Sequence, residues 1–166
     1  MKKATKIILL AMVVVLLFAS CGEKKEEPKL KEFSKAGLTI SLPEEFGEKE
    51  VVTQTATYVS LDSVVMILKE EFSMFEKMGM DPKELTLDEY FELIKTNNGS
   101  DWELKDDEGL KYFDYSTQVN GKDMSYMGTI LKGTDAFWLV QFSCESGNFA
   151  DKKADFLKWA KSIKVE

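Results

Sequence analysis

Few side chains in this 166-residue chain could carry out covalent chemistry. The two cysteines are Cys21 and Cys144, and there is no histidine and no arginine. Lacking imidazole, the chain has neither the commonest general base nor the commonest zinc or copper ligand. Without guanidinium it has no bidentate fork for phosphate or carboxylate. Adjacent acids remain, among them the pairs Glu44-Glu45, Glu70-Glu71 and Asp106-Asp107. Hydrolysis by two carboxylates needs them to flank one bond, roughly 5–9 Å apart. Neighbours on a strand point to opposite faces, and acids in turns are normally solvated, so these pairs read as acidic surface. The remaining candidate is thioether chemistry. Met74, Met78 and Met80, with Phe75 among them, follow an apolar strand in a stretch that reads as a loop. Soft, adaptable methionines serve three purposes: an apolar contact for a partner, a Cu(I) site, or packing over the core beneath.

Other motif chemistry is absent. The glycines never fall in the dinucleotide-loop spacing. Gly128 and Gly133 have the Walker separation, but Thr134-Asp135 follows in place of Lys-Ser/Thr. No serine sits in a hydrolase or lactamase motif. The chain has no paired-cysteine motif and no alternating-acid calcium loop. No catalytic residue, metal site or cofactor is therefore expected, and the chain is not expected to be an enzyme.

Cys21 follows Lys2, Lys3 and Lys6, a 13-residue apolar run from Ile7 to Ala19, and Ser20. Thirteen residues are too few to span a bilayer but match a signal peptide. Small residues leading into a cysteine resemble the lipobox of bacterial lipoproteins, with Phe18 where leucine is usual. The resemblance implies cleavage before Cys21, acylation of its thiol and amino terminus with palmitate-like chains, and anchoring in a membrane of the cell envelope, facing the periplasm or exterior. The alternative is a plain cleaved signal. Residues 1–20 hold three lysines and no acid, so the remainder carries −10 against −7 for the whole chain. That balance argues against nucleic acid. With Cys21 consumed, Cys144 has no partner within the chain and reads as a small core residue at the end of an apolar strand.

These residues need elements to hold them. Residues 21–32 read as the lipidated cysteine and a charged tether, spanning about 18 Å as a flexible chain. Residues 33–166 read as one domain. Leu38–Leu42 alternates as a strand up to Pro43. Val51–Leu61 reads as a half-buried strand, Asp62-Ser63 as a turn and Val64–Phe72 as a returning strand. Asp81-Pro82-Lys83-Glu84 suggests one helical turn. Thr86-Leu87-Asp88-Glu89 is a capping box opening a helix with Leu87, Tyr90, Phe91 and Ile94 on one face, closed at Asn97-Asn98-Gly99. Trp102–Lys105 reads as a short strand and Asp106–Gly109 as a turn. Asn120-Gly121 is the favoured type I′ dipeptide. It joins strands over about 110–119 and 122–131 and sets Tyr115 opposite Tyr126 and Phe113 opposite Gly128. Ala136–Cys144 is a strand with Trp138, Val140, Phe142 and Cys144 on one face. A C-terminal amphipathic helix starts near Phe149, capped by Asn148.

The stretch Phe33-x-x-x-Gly37-Leu38-Thr39-Ile40-Ser41-Leu42-Pro43-Glu44-Glu45-Phe46 resembles the opening of PsbP-like domains. The order of later elements, closing on a helix with Trp159, continues the match to about Val165. The resemblance implies an α+β fold, an antiparallel β-sheet flanked by helices in an α/β/α sandwich, and action by docking rather than catalysis. The expected function is a membrane-tethered, non-catalytic binding or accessory module with an envelope protein partner, docking through a sheet face or through Met74, Phe75, Met78 and Met80. The alternatives are a carrier of a small apolar ligand and a carboxylate-based hydrolase.

Overall fold

The computed structural model describes residues 28–166. Cys21, the signal-like run and most of the tether lie outside the described residues. No described helix is long and apolar enough to cross a membrane.

Two antiparallel sheets form. The smaller contains β1 (Leu30–Lys35), β2 (Leu38–Pro43) and β10 (Lys164–Val165), with β2 in the middle. The larger contains β3 (Gly47–Glu48), β4 (Ala56–Val59), β5 (Val64–Glu71), β6 (Lys105–Asp107), β7 (Leu110–Val119), β8 (Lys122–Lys132) and β9 (Ala136–Glu145). Its order is β3-β4-β5-β9-β8-β7-β6. Three helices complete the fold: α1 (Phe72–Lys77), α2 (Leu87–Asn98) and α3 (Phe149–Lys161).

The large sheet is covered on both faces because its central strand β9 is apolar on both. On one face Trp138, Val140, Phe142 and Cys144 pack with Phe156, Trp159 and Ala160 of α3 and with Leu38, Ile40 and Leu42 of the small sheet. On the other face Phe113, Ile130 and Phe137 pack with Phe72 and Phe75 of α1 and Tyr90, Phe91 and Ile94 of α2. Each large aliphatic or phenylalanine side chain among them contributes about 1.5–3 kcal/mol on burial. The α+β sandwich with a closing helix is as expected.

The hairpin register also matches expectation. Asn120 and Gly121 both have positive φ, Tyr115 pairs with Tyr126, and Phe113 pairs with Gly128. Gly128 is glycine for a steric reason: the Phe113 ring lies where its side chain would be. The capping box is present in full on α2, and Gly99 closes the helix in the left-handed region.

Several local expectations are corrected. Val51–Leu61 is not one strand; only Ala56–Val59 pairs, because Gln54 turns back to donate to the Val51 carbonyl at 3.0 Å, which leaves Val52 fully exposed. Trp102 stands outside any strand, and pairing begins only at Lys105. Asp106 and Asp107 belong to that strand, and the turn itself is Glu108-Gly109. The Asn148 side chain makes no capping hydrogen bond; a 3-10 turn over Ser146–Asn148 leads into α3 instead. The stretch after Glu71, expected as a loop, is helix α1. The globule also starts earlier than Phe33, since β1 runs from Leu30 opposite Pro43.

Candidate functional site

Helix α1 is only six residues long, has no side-chain N-cap, and is held by what it buries. Phe72 and Phe75, one turn apart, both insert into the core against Phe137. Gly79, at φ 78°, ends the helix, and the Met80 amide returns to the Phe75 carbonyl at 3.0 Å. Met74 and Met78, four residues apart, are thus turned outward on a pinned scaffold, 49% and 61% exposed. Of the four residues expected to form the contact, Phe75 is core, Met74 and Met78 are surface, and Met80 is half-buried.

The three methionines border one cleft of about 190 Å3, whose other walls are Phe75, Glu70 from β5 and Tyr90, Leu93, Ile94 and Asn97 from α2. At its base the buried Tyr90 hydroxyl donates a hydrogen bond to Glu70 Oε2, while the Tyr90 ring stacks on Phe137 at 4.4 Å. Burial, then the nearby Glu70 charge, pushes the Tyr90 phenol well above its ordinary pKa. It stays neutral and donates to the carboxylate. Lys132 ties the next turn to the sheet by donating to the carbonyls of Lys83 and Leu85, both at 2.7 Å. The arrangement is a soft-rimmed, largely apolar hollow whose polar groups are the Tyr90–Glu70 pair and Asn97, suited to receiving an apolar side chain. The α2 wall was half legible in the sequence: the stripe placed Tyr90 inward, but nothing local linked it to Glu70, twenty residues earlier.

The other candidates fall elsewhere. Glu70 and Glu71 point apart, Glu44 and Glu45 are exposed, and Asp106 and Asp107 are engaged separately by the Gly109 amide at 2.8 Å and Lys161 at 3.1 Å. Cys144 is buried in the α3-side core, where burial raises its thiol pKa. A larger groove of about 840 Å3 lies between α2 and the 102–106 segment. Most of the residues lining it are of charged type, including Asp88, Glu92, Lys95, Lys105 and Lys111, with Phe91, Trp102 and Leu104 among them.

No protein-family model matches the chain, and no curated protein matches it in sequence. Solved structures do match in shape. The solution structure of cyanobacterial PsbP, CyanoP, from Synechocystis superposes with a TM-score of 0.53 at 16% identity, over 90% of this chain and 99% of that one. The fold is PsbP-like. A variant of the protein Mog1 gives a TM-score of 0.54 at 13% identity, over 82% of this chain and 96% of that one. A protein from Bacteroides thetaiotaomicron gives 0.54 at 13% identity over 84% of this chain; the match spans 48% of that longer chain. At these identities the PsbP-like likeness is one of fold.

Proposed function

We propose that the protein is a non-catalytic docking module, tethered to an envelope membrane through a lipid on Cys21, that grips a partner protein by its methionine cleft. The observation that carries this reading is the outward placing of Met74 on α1 and of Met78 at its C-cap, on a helix whose two phenylalanines are locked in the core. An apolar rim held rigidly pays little ordering entropy on binding, and methionine adapts to the shape it meets. The PsbP-like fold agrees with docking, and the hydrogen-bonded pair in the cleft is a neutral phenol on a carboxylate rather than a base and nucleophile.

A photo-crosslinking side chain in place of Met74 tests the reading in intact cells. One discrete adduct is expected, and Met78→Asp should abolish it while leaving thermal stability unchanged. An undiminished adduct from the folded Met78→Asp protein rejects the cleft. Cys21→Ala should move the protein from the membrane to the soluble fraction; unchanged sedimentation rejects the lipid. The apolar-carrier alternative has one observation in its favour, a groove in the volume range of small-ligand sites. The many charged side chains along it suit an apolar cargo poorly.

A further inference from the structure

The large sheet has an unfinished edge. β6 pairs only with Leu110–Tyr112 of β7, so Phe113–Val119 has β8 on one side and no strand on the other among the described residues. Both hairpins that bound β7 have two-residue turns with positive φ at each position, Glu108-Gly109 and Asn120-Gly121. Such turns are closed by a doubly hydrogen-bonded pair, here Asp107 with Leu110 and Val119 with Lys122. Counting by twos from either end gives the same phase. Phe113, Tyr115, Thr117 and Val119 turn their backbone groups toward β8. Asp114, Ser116 and Gln118 turn theirs outward, and none of these three makes a backbone hydrogen bond there to a described residue.

Edges of this kind are normally blunted by charge, proline or a bulge. The outer strand β1 of the small sheet carries Lys31, Glu32 and Lys35 in six residues. In β7, Tyr115–Val119 carries no charge and no proline, and its register with β8 is unbroken. A trough of about 360 Å3 runs beside Asp114–Ser116, walled by Asp101, Trp102, Glu103 and Lys105. Trp102 has left the edge to stack on Tyr115 at 4.3 Å, on the sheet face, which keeps the trough open.

We infer that the outer edge of β7 accepts an extended segment of a partner protein as an eighth strand, antiparallel or parallel, bearing lysine or arginine beside Asp101 and Glu103. The backbone of Asp114, Ser116 and Gln118 supplies the ladder, and alternate side chains of the guest fall on the two sheet faces. Charge selects the guest. Asp101 and Glu103 have no ion-pair partner among the described residues, whereas Asp114 is already held by Lys105 at 2.7 Å and Lys153 at 2.6 Å. A second copy of this chain fits poorly, because two-fold pairing about Ser116 would bring both sets of Asp101 and Glu103 together on chains that each carry −10 beyond residue 20. The inference rests on the docking reading but uses a different surface from the methionine cleft.

Amide hydrogen exchange read by NMR tests it, with a short peptide alternating lysine with valine or threonine as the probe. In the free protein the amides of Asp114, Ser116 and Gln118 should exchange fast and those of Tyr115 and Thr117 slowly. The peptide should slow the first three by at least about tenfold; a version with a central proline should not. Ser116→Pro, tolerated because that N–H faces solvent, should remove the protection. Asp101→Lys with Glu103→Lys should weaken peptide binding by about tenfold at low salt. Slow exchange of the three amides in dilute free protein would overturn the inference, as would protection that rises with protein concentration alone or no response to the peptide. Met78→Asp should leave the peptide response intact, and the charge-reversed variant should leave the Met74 adduct intact, so failure at one surface is distinguishable from failure at the other.

Discussion

A methyl group at Gly128 has no room: its Cβ would stand 2.4 Å from Phe113 Cζ, and the next two nearest atoms belong to the same ring. Because Phe113 is itself fully buried between α2 and the sheet, the ring cannot swing aside. Gly128→Ala should therefore cost about 1–3 kcal/mol, seen as a lower urea midpoint. Phe113→Leu in the same molecule should return part of that loss; strictly additive losses would show that the two residues do not share the space. Tyr115 gives a second prediction at this scale. Burial, with a smaller contribution from Tyr126, holds its phenol up at about 12. The unfolded chain gives up that proton near pH 10. Its contribution to stability is therefore intact below pH 10 and is lost as the pH climbs toward 12, where the folded form ionises too. Tyr115→Phe should flatten the fall in unfolding free energy between pH 10 and 12 by the slope of one proton. A curve parallel to that of the unaltered protein would mean that Tyr115 is not held neutral by the fold.

Among the elements, α2 matters most to the cleft, since Tyr90, Leu93, Ile94 and Asn97 all come from it. Its start depends on Thr86, whose Oγ1 accepts from the Glu89 amide at 3.2 Å while Glu89 Oε2 accepts from the Thr86 amide at 2.8 Å. Thr86→Ala should cost about 1 kcal/mol and speed amide exchange in the first turn; unchanged exchange there would show that packing alone holds the helix. This capping box was legible in the sequence, as was the Asn120-Gly121 hairpin with its register, because each is written in neighbouring residues. The sheet order and the pairing of Glu70 with Tyr90 were not, since both depend on contacts between distant segments. Helix α1 was missed for a third reason. Six residues are too few to show a helical period, no capping side chain marks its start, and it follows directly on an apolar strand, so its Phe72 reads as the strand's continuation. Val51–Leu61 failed in the opposite sense: β-branched residues alternate well, yet the turn at Val51–Gln54 takes Val51 and Val52 out of the sheet. The four candidate contact residues border one cleft, but the pattern could not separate buried Phe75 from exposed Met74 and Met78.

At the scale of the whole molecule, the first strand, where the proposed tether joins, and the methionine cleft proposed to dock lie on opposite faces of the large sheet. The chain enters at Leu30, in the small sheet on the α3 side, and the methionine cleft lies across the large sheet on the α1–α2 side. A lipid on Cys21, as proposed, is separated from β1 by eight residues, which reach at most about 28 Å when fully extended. A membrane partner must then extend alongside the globule to meet the cleft, and confinement near the membrane rather than strong intrinsic affinity would fill the site. Effective concentration falls roughly as the −3/2 power of tether length once the span can be bridged. Inserting about twenty glycine and serine residues after Glu27 lengthens the connection about three-and-a-half-fold, and so should lower capture by about sixfold where capture is incomplete. Sedimentation with membranes should not change. The Met74 adduct measured in cells against total protein reads the first quantity, and fractionation the second. An adduct yield that stays level with the longer tether would mean that the partner finds the cleft from solution, and the anchor would then serve some purpose other than raising local concentration.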